Sequence, residues 1–158
     1  MNGDDNDQSL ASEADLAQRE AMIEDWLRDE QRDNPLIVAV DRDPSERRWF
    51  VRLHGEEKDV TTVWFTLGQR TLRYETYVMP APEENLAAVY ERLLRANGAL
   101  NGFAFSIGAE DALYLRGQLG VRAFERADLD RILGSIYVTV ERFFRPAMRL
   151  GYASKFSS

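Results

Sequence analysis

His54 is the single histidine of the chain, and there is no cysteine. Thiolate metal sites, disulfides and cysteine nucleophiles are therefore excluded, as is any site built on several imidazoles. His54 stands beside Arg52 with no Ser or Asp placed to form a triad, so it reads as a strand or rim residue and not as a catalytic base. Two carboxylate pairs, Glu83-Glu84 and Glu110-Asp111, could contribute to a cation site, but their context is that of a helix start and a turn. The glycines of Arg116-Gly117-Gln118-Leu119-Gly120 match neither a dinucleotide fingerprint nor a P-loop. Arg142, Arg145 and Arg149 recur at i, i+3 and i+7 near the end of a helix, where positive charge suits the dipole. No catalytic residue, cofactor site or metal site is expected.

The chemistry that does stand out is that of contact surfaces. Phe50, Arg52, Trp64, Arg73, Glu75, Tyr77, Tyr114 and Arg116 alternate with Val51, Phe65, Tyr74, Phe105 and Leu113 in segments of strand period. If the second set faces helices, the first set shares the opposite side of a sheet. That side is too aromatic for bare solvent and too polar for a core, and Tyr, Trp and Arg are enriched where proteins meet. The competing expectation is that the C-terminal tail or the segment Leu36–Val40 covers it.

The elements that must hold these residues follow from period and punctuation. Residues 1–12 are polar and acidic and are expected to be disordered, leaving a single domain over residues 13–156. A helix is expected from Glu13 to Gln31, with Leu16, Ile23, Trp26 and Leu27 on its apolar stripe and Asn34-Pro35 ending it. Leu36–Val40 fits either an edge strand or a packed extended segment. Three strands follow, around Trp49–His54, Thr62–Leu67 and Leu72–Val78, with Gly68-Gln69 as a hairpin turn in which Gly supplies positive φ. Pro80-Ala81-Pro82 stops the third strand. A helix over Glu83–Ala96 carries Leu86, Val89, Tyr90, Leu93 and Leu94 on its stripe, and Asn97-Gly98 ends it. Two strands, turning at Gly108–Asp111, precede a long helix from near Arg126 that Pro146 should kink or end. Short connections require antiparallel neighbours. The class is α+β, an antiparallel sheet with helices mainly on one face. Tyr74, Phe65, Phe105, Leu93, Ile132, Ile136 and Phe143 are expected to be buried together.

Net charge is −7, with 44% apolar and 30% charged residues. Residues 1–34 hold eleven acids against Arg19, Arg28 and Arg32, giving −8, while the remainder, with sixteen acids and seventeen bases, is +1. An acidic end and no basic patch argue against nucleic-acid binding. The beginning of the chain lacks a basic start and an apolar run, and no apolar stretch approaches the ~20 residues that span a bilayer. A cytoplasmic location without membrane contact is expected.

The runs Asp59–Asn85, Leu100–Gly117 and Leu129–Phe156 resemble the YbjN domain in its actinobacterial form, over roughly residues 36–156. That family carries a label of sensory transduction regulator. Its fold resembles that of type III secretion chaperones: helix, three strands, helix, two strands, helix. The resemblance implies a homodimer that binds another polypeptide and supplies no catalytic residues. The expected function is thus a non-enzymatic protein-binding or regulatory module. The dimer would bury part of the aromatic–arginine face or the exposed side of the Glu83–Ala96 helix. The alternative is a sensor of a small ligand held between sheet and helices.

Overall fold

The computed structural model describes residues 10–156. Ser12 caps the first helix, α1 (Glu13–Asp33), through a reciprocal box: the Asp15 amide donates to Ser12 Oγ at 3.1 Å and the Ser12 amide to Asp15 Oδ2 at 3.2 Å. The expected disorder of residues 1–9 lies outside the described residues. Residues 10–12 make defined contacts, for the Ala11 amide donates to the Gln69 carbonyl and Arg122 donates to that of Leu10.

Four strands follow: β1 (Ile37–Asp43), β2 (Arg48–His54), β3 (Val60–Leu67) and β4 (Thr71–Met79). Then come α2 (Leu86–Asn97), β5 (Phe103–Ile107), a 3-10 turn at Ala109–Asp111, β6 (Leu113–Gly120), α3 (Arg126–Gly151) and α4 (Ala153–Phe156). The six strands form one antiparallel sheet in the order β1-β2-β3-β4-β6-β5. The Leu36–Val40 segment, open between two readings, is the start of an edge strand whose register shifts between Ile37 and Ala39.

One sheet face is covered by helices. Val51, Phe65, Tyr74, Leu115 and Phe105 point into it and are buried with Ile132 and Ile136 of α3, Leu93 of α2 and Trp26 of α1. The Trp26 ring meets Phe65 edge-on at 5.5 Å, and its Nε1 donates to Asp130 on α3 at 2.6 Å, fastening α1 to both layers. Phe143 is only partly buried, with its ring 5.5 Å from that of Phe105. The acids of α1 meet arginines from the rest of the fold: Glu20 and Glu24 pair with Arg42, Glu20 and Glu13 with Arg47, Asp15 with Arg122 and Asp29 with Arg126.

Several expectations need correction. Gly68 closes the β3–β4 hairpin but does not take a positive φ; among described glycines that belongs to Gly102, at +85°. α2 begins at Leu86, not Glu83, because Asn85 sits at φ +52° and donates to the Leu150 carbonyl, while the Glu83 and Glu84 amides donate to Gly151. Leu86 and Leu94 are exposed, since α2 rests over the sheet margin and buries only Val89 and Leu93. Pro146 does not end α3. The helix continues to Gly151 because its last turn is docked, with Ala147 buried and Gly151 against Pro82.

Candidate protein-interaction face

The eight residues singled out for contact chemistry share the sheet face away from the helices. Register places them in rows across the strands. Phe50, Trp64, Glu75 and Arg116 are successive partners on β2, β3, β4 and β6, and Tyr77 pairs with Tyr114 one row along. Phe50 and Trp64 meet edge-on at 6.5 Å, Tyr77 and Tyr114 at 5.7 Å. These rings are half-buried against one another, while Arg52, Arg73 and Arg116 are exposed. Arg116 Nε donates to Glu75 Oε2 at 2.8 Å and its guanidinium lies 4.5 Å from the centre of the Tyr114 ring. Gly108 leaves the space these groups occupy: a Cβ there would collide with the Tyr114 ring and Arg116. Arg52 and Arg73 have no carboxylate partner among the described residues.

Among the described residues, the C-terminal tail up to Phe156 does not lie over this face. Tyr152 donates to the Ala81 carbonyl, Lys155 approaches Glu83 and the Ser154 amide donates to Glu84, so α4 sits on the segment that precedes α2.

Residues beyond the alternating set belong to the same region. Arg48, Thr66 and Gln118 join Arg73, Glu75 and Arg116 around an open depression of about 500 Å³. Their positions in the strand alternation could have revealed them, but an aromatic search passes over Thr and Gln. Lys58, on the β2–β3 loop, sets its ammonium 5.0 Å from the centre of the Tyr77 ring and 5.7 Å from that of Phe144, and donates to the Tyr77 carbonyl at 2.7 Å. Burial holds its pKa down at about 8. Glu141 of α3 pins that loop by accepting from the amides of Glu56, Glu57 and Lys58 at 2.9, 2.8 and 3.3 Å.

A second surface lies at the sheet margin. Tyr90 and Leu94 of α2, with Phe105 and Ile107 of β5, line an apolar groove of about 310 Å³. Leu94 is 68% and Ile107 52% exposed. The outer edge of β5 is blocked at its centre, because Asn97 accepts from the Phe105 amide at 2.7 Å and donates to its carbonyl at 3.1 Å. A side chain thus takes the place of a further strand.

The other candidates are dispersed. His54 ends β2, exposed, and its carbonyl accepts from Tyr137. Glu110 and Asp111 occupy the turn with φ of +59° and +57°. Arg145 pairs with Glu57, whereas Arg142 stacks on Phe143. No group of three or more potential metal-binding side chains occurs among the described residues. No helix of the described residues is long and apolar enough to cross a membrane.

Comparison with known proteins fits this picture. Uncharacterised proteins of Mycobacterium tuberculosis and Mycobacterium bovis are 34% identical to the chain over 105 residues, 66% of this chain and 57% of theirs. One of Mycobacterium leprae is 29% identical over 107 residues, 68% of this chain and 58% of its own. The chain therefore spans little more than half the length of these relatives. Among solved structures, a chain of the heterodimeric ExoU–SpcU complex from the type III secretion system of Pseudomonas aeruginosa superimposes with a TM-score of 0.56, at 16% identity, covering 80% of this chain and 97% of that one. The fold is that of a type III secretion chaperone. The family model described as "Putative bacterial sensory transduction regulator" matches residues 20–147, and the chain belongs to that family, YbjN.

Proposed function

We propose that the chain is a non-catalytic, cytoplasmic protein-binding module that acts as a homodimer, holding a partner polypeptide on its open sheet face. The observation that carries this reading is the face itself. Four aromatic rings are interleaved with arginines, two of which lack a carboxylate partner among the described residues. Such a surface offers apolar area and directed hydrogen bonds together, which suits a peptide. The structural relative supports it in kind, since it is part of a complex between two different chains.

The dimer is assigned to the α2–β5 groove. Leu94 and Ile107 are 68% and 52% exposed there, and Leu86, at the start of α2, is 43% exposed. Because Asn97 occupies the Phe105 backbone, two copies would meet through side chains and not through strand addition. A standard interface removes about 1,600 Å² from water.

Affinity capture with wild-type and Trp64→Asp baits, followed by cross-linking, tests the partner reading. Proteins retained by the wild type should be lost with Trp64→Asp and kept with Arg28→Ala, a change on exposed α1. Equal retention by all three baits contradicts the assignment to this face.

A further inference from the structure

The open face has a polarity that narrows what it can hold. Arg48, Thr66 and Arg73 are successive register partners on β2, β3 and β4, so the two arginines stand two strands apart, about 10 Å, on either side of a hydroxyl. Arg48 donates through Nε to Thr66 Oγ1 at 3.1 Å and contacts Glu46 at 3.2 Å, which fixes its direction. Arg73 has no ion pair among the described residues and is exposed. Glu75, the acid within the depression, is already neutralised by Arg116. The unmatched charge at this end is positive and borders the open depression.

The apolar rows lie next to it at fixed distances. The Phe50–Trp64 pair spans β2 and β3 and the Tyr77–Tyr114 pair β4 and β6, two strands apart across the sheet, but Trp64 and Tyr77 stand on neighbouring strands. From the Arg73 row to the Trp64 row is two residues along a strand, about 6.8 Å, and the Tyr77 row is the same distance further. Alternate side chains of an extended peptide have that spacing too. We propose that the face reads an extended partner segment of the pattern acidic–x–apolar–x–apolar lying over β3 and β4, its carboxylate bound by Arg73 and its apolar side chains on Trp64 and on Tyr77. The proposal rests on the open face being the partner-binding surface. A polyanion fits less well: the chain carries −7, and Glu46, Glu75 and Asp41 lie on or beside this face. One carboxylate flanked by apolar groups meets Arg73 without a run of charge crossing those acids.

The test is an NMR titration of the full, isotope-labelled chain with two blocked peptides, Ser-Asp-Ser-Leu-Ser-Leu-Ser and the same sequence with Asn for Asp. The Asp peptide should bind about tenfold more tightly at low salt, moving the Trp64 indole and Arg73 Nε resonances. Arg73→Gln should remove that difference while leaving the Asn peptide unaffected. Equal binding of both peptides to the wild type overturns the acidic preference yet leaves the face as a peptide surface. No Trp64 response at millimolar peptide, together with unchanged partner capture by Trp64→Asp, overturns the reading of the face as well. Oligodeoxythymidine binding at Arg73 more tightly than the Asp peptide would assign the depression to phosphates and overturn the proposal.

Discussion

Replacing Lys58 by Met should stabilise the protein at neutral pH. The ammonium is held between the Tyr77 and Phe144 rings with one hydrogen bond, to the Tyr77 carbonyl. Lowering its pKa from 10.5 to about 8 corresponds to about 3 kcal/mol of preference for the neutral amine in the folded state. The two rings attract the cation and return about 0.5–2 kcal/mol. The net gain for an apolar side chain of similar length is then about 1–2.5 kcal/mol, or roughly 2–10 °C in Tm. The pH dependence gives a sharper signature. Between pH 8 and 10.5 the unfolded chain binds more protons at this site than the folded one, so wild-type stability rises with pH in that window. Tyr74 and Tyr77, whose burial raises their pKa values, act in the opposite direction once the unfolded tyrosines ionise, near pH 10. Urea denaturation of both proteins from about pH 7 to 9.5 should therefore show a rising wild-type curve and a flatter, higher Lys58→Met curve that converge with pH. A variant less stable than wild type at pH 7, or a wild-type curve that does not rise, refutes the reasoning.

Phe105→Ala should cost about 3–5 kcal/mol in chemical denaturation, through lost burial and a cavity beside Leu93 and Phe143, and a loss below about 1 kcal/mol contradicts its inward facing. Glu141→Ala should cost about 2 kcal/mol, because three amides lose a charged acceptor, with faster hydrogen exchange confined to residues 56–58; unchanged exchange there would show that the loop is held otherwise. Glu30→Gln should raise the urea midpoint at pH 7. Burial, then the neighbouring Asp130 carboxyl, lifts the Glu30 pKa, so its stabilisation is present below pH 4.5 and lost as pH rises through the raised value. The difference should vanish near pH 4, and a lower midpoint at pH 7 contradicts this.

Alternation made the sheet legible. Trp49, Val51 and Leu53 against Phe50, Arg52 and His54 define the two faces without reference to any contact, and the structure places them accordingly. β1 resisted because Leu36–Val40 is an unbroken apolar run whose register shift removes the period of two. The apolar stripe of α2 is wider than the surface it covers: a short helix at a sheet margin cannot bury all five of its apolar positions, and Leu86 and Leu94 remain outside. Asn97 reads locally as a helix stop, and its second task, closing the β5 edge, depends on a strand eight residues away. The acidity of α1 looked like a segregated patch, yet arginines distant in sequence bind it. Composition gives charge by segment; only packing pairs the segments. Pro146 follows the same logic, since a docked last turn offsets a lost backbone hydrogen bond.

The proposed division of labour between two surfaces is tested most directly by the mass in solution of three proteins under light scattering at high micromolar concentration. Wild type should be a dimer of about 36 kDa, twice 18.1 kDa. Leu94→Asp, which places a charge in the α2–β5 groove, should be a folded monomer, and Trp64→Asp should remain a dimer. A monomeric wild type contradicts the account, as does the reverse pattern in which Trp64→Asp separates the copies and Leu94→Asp does not.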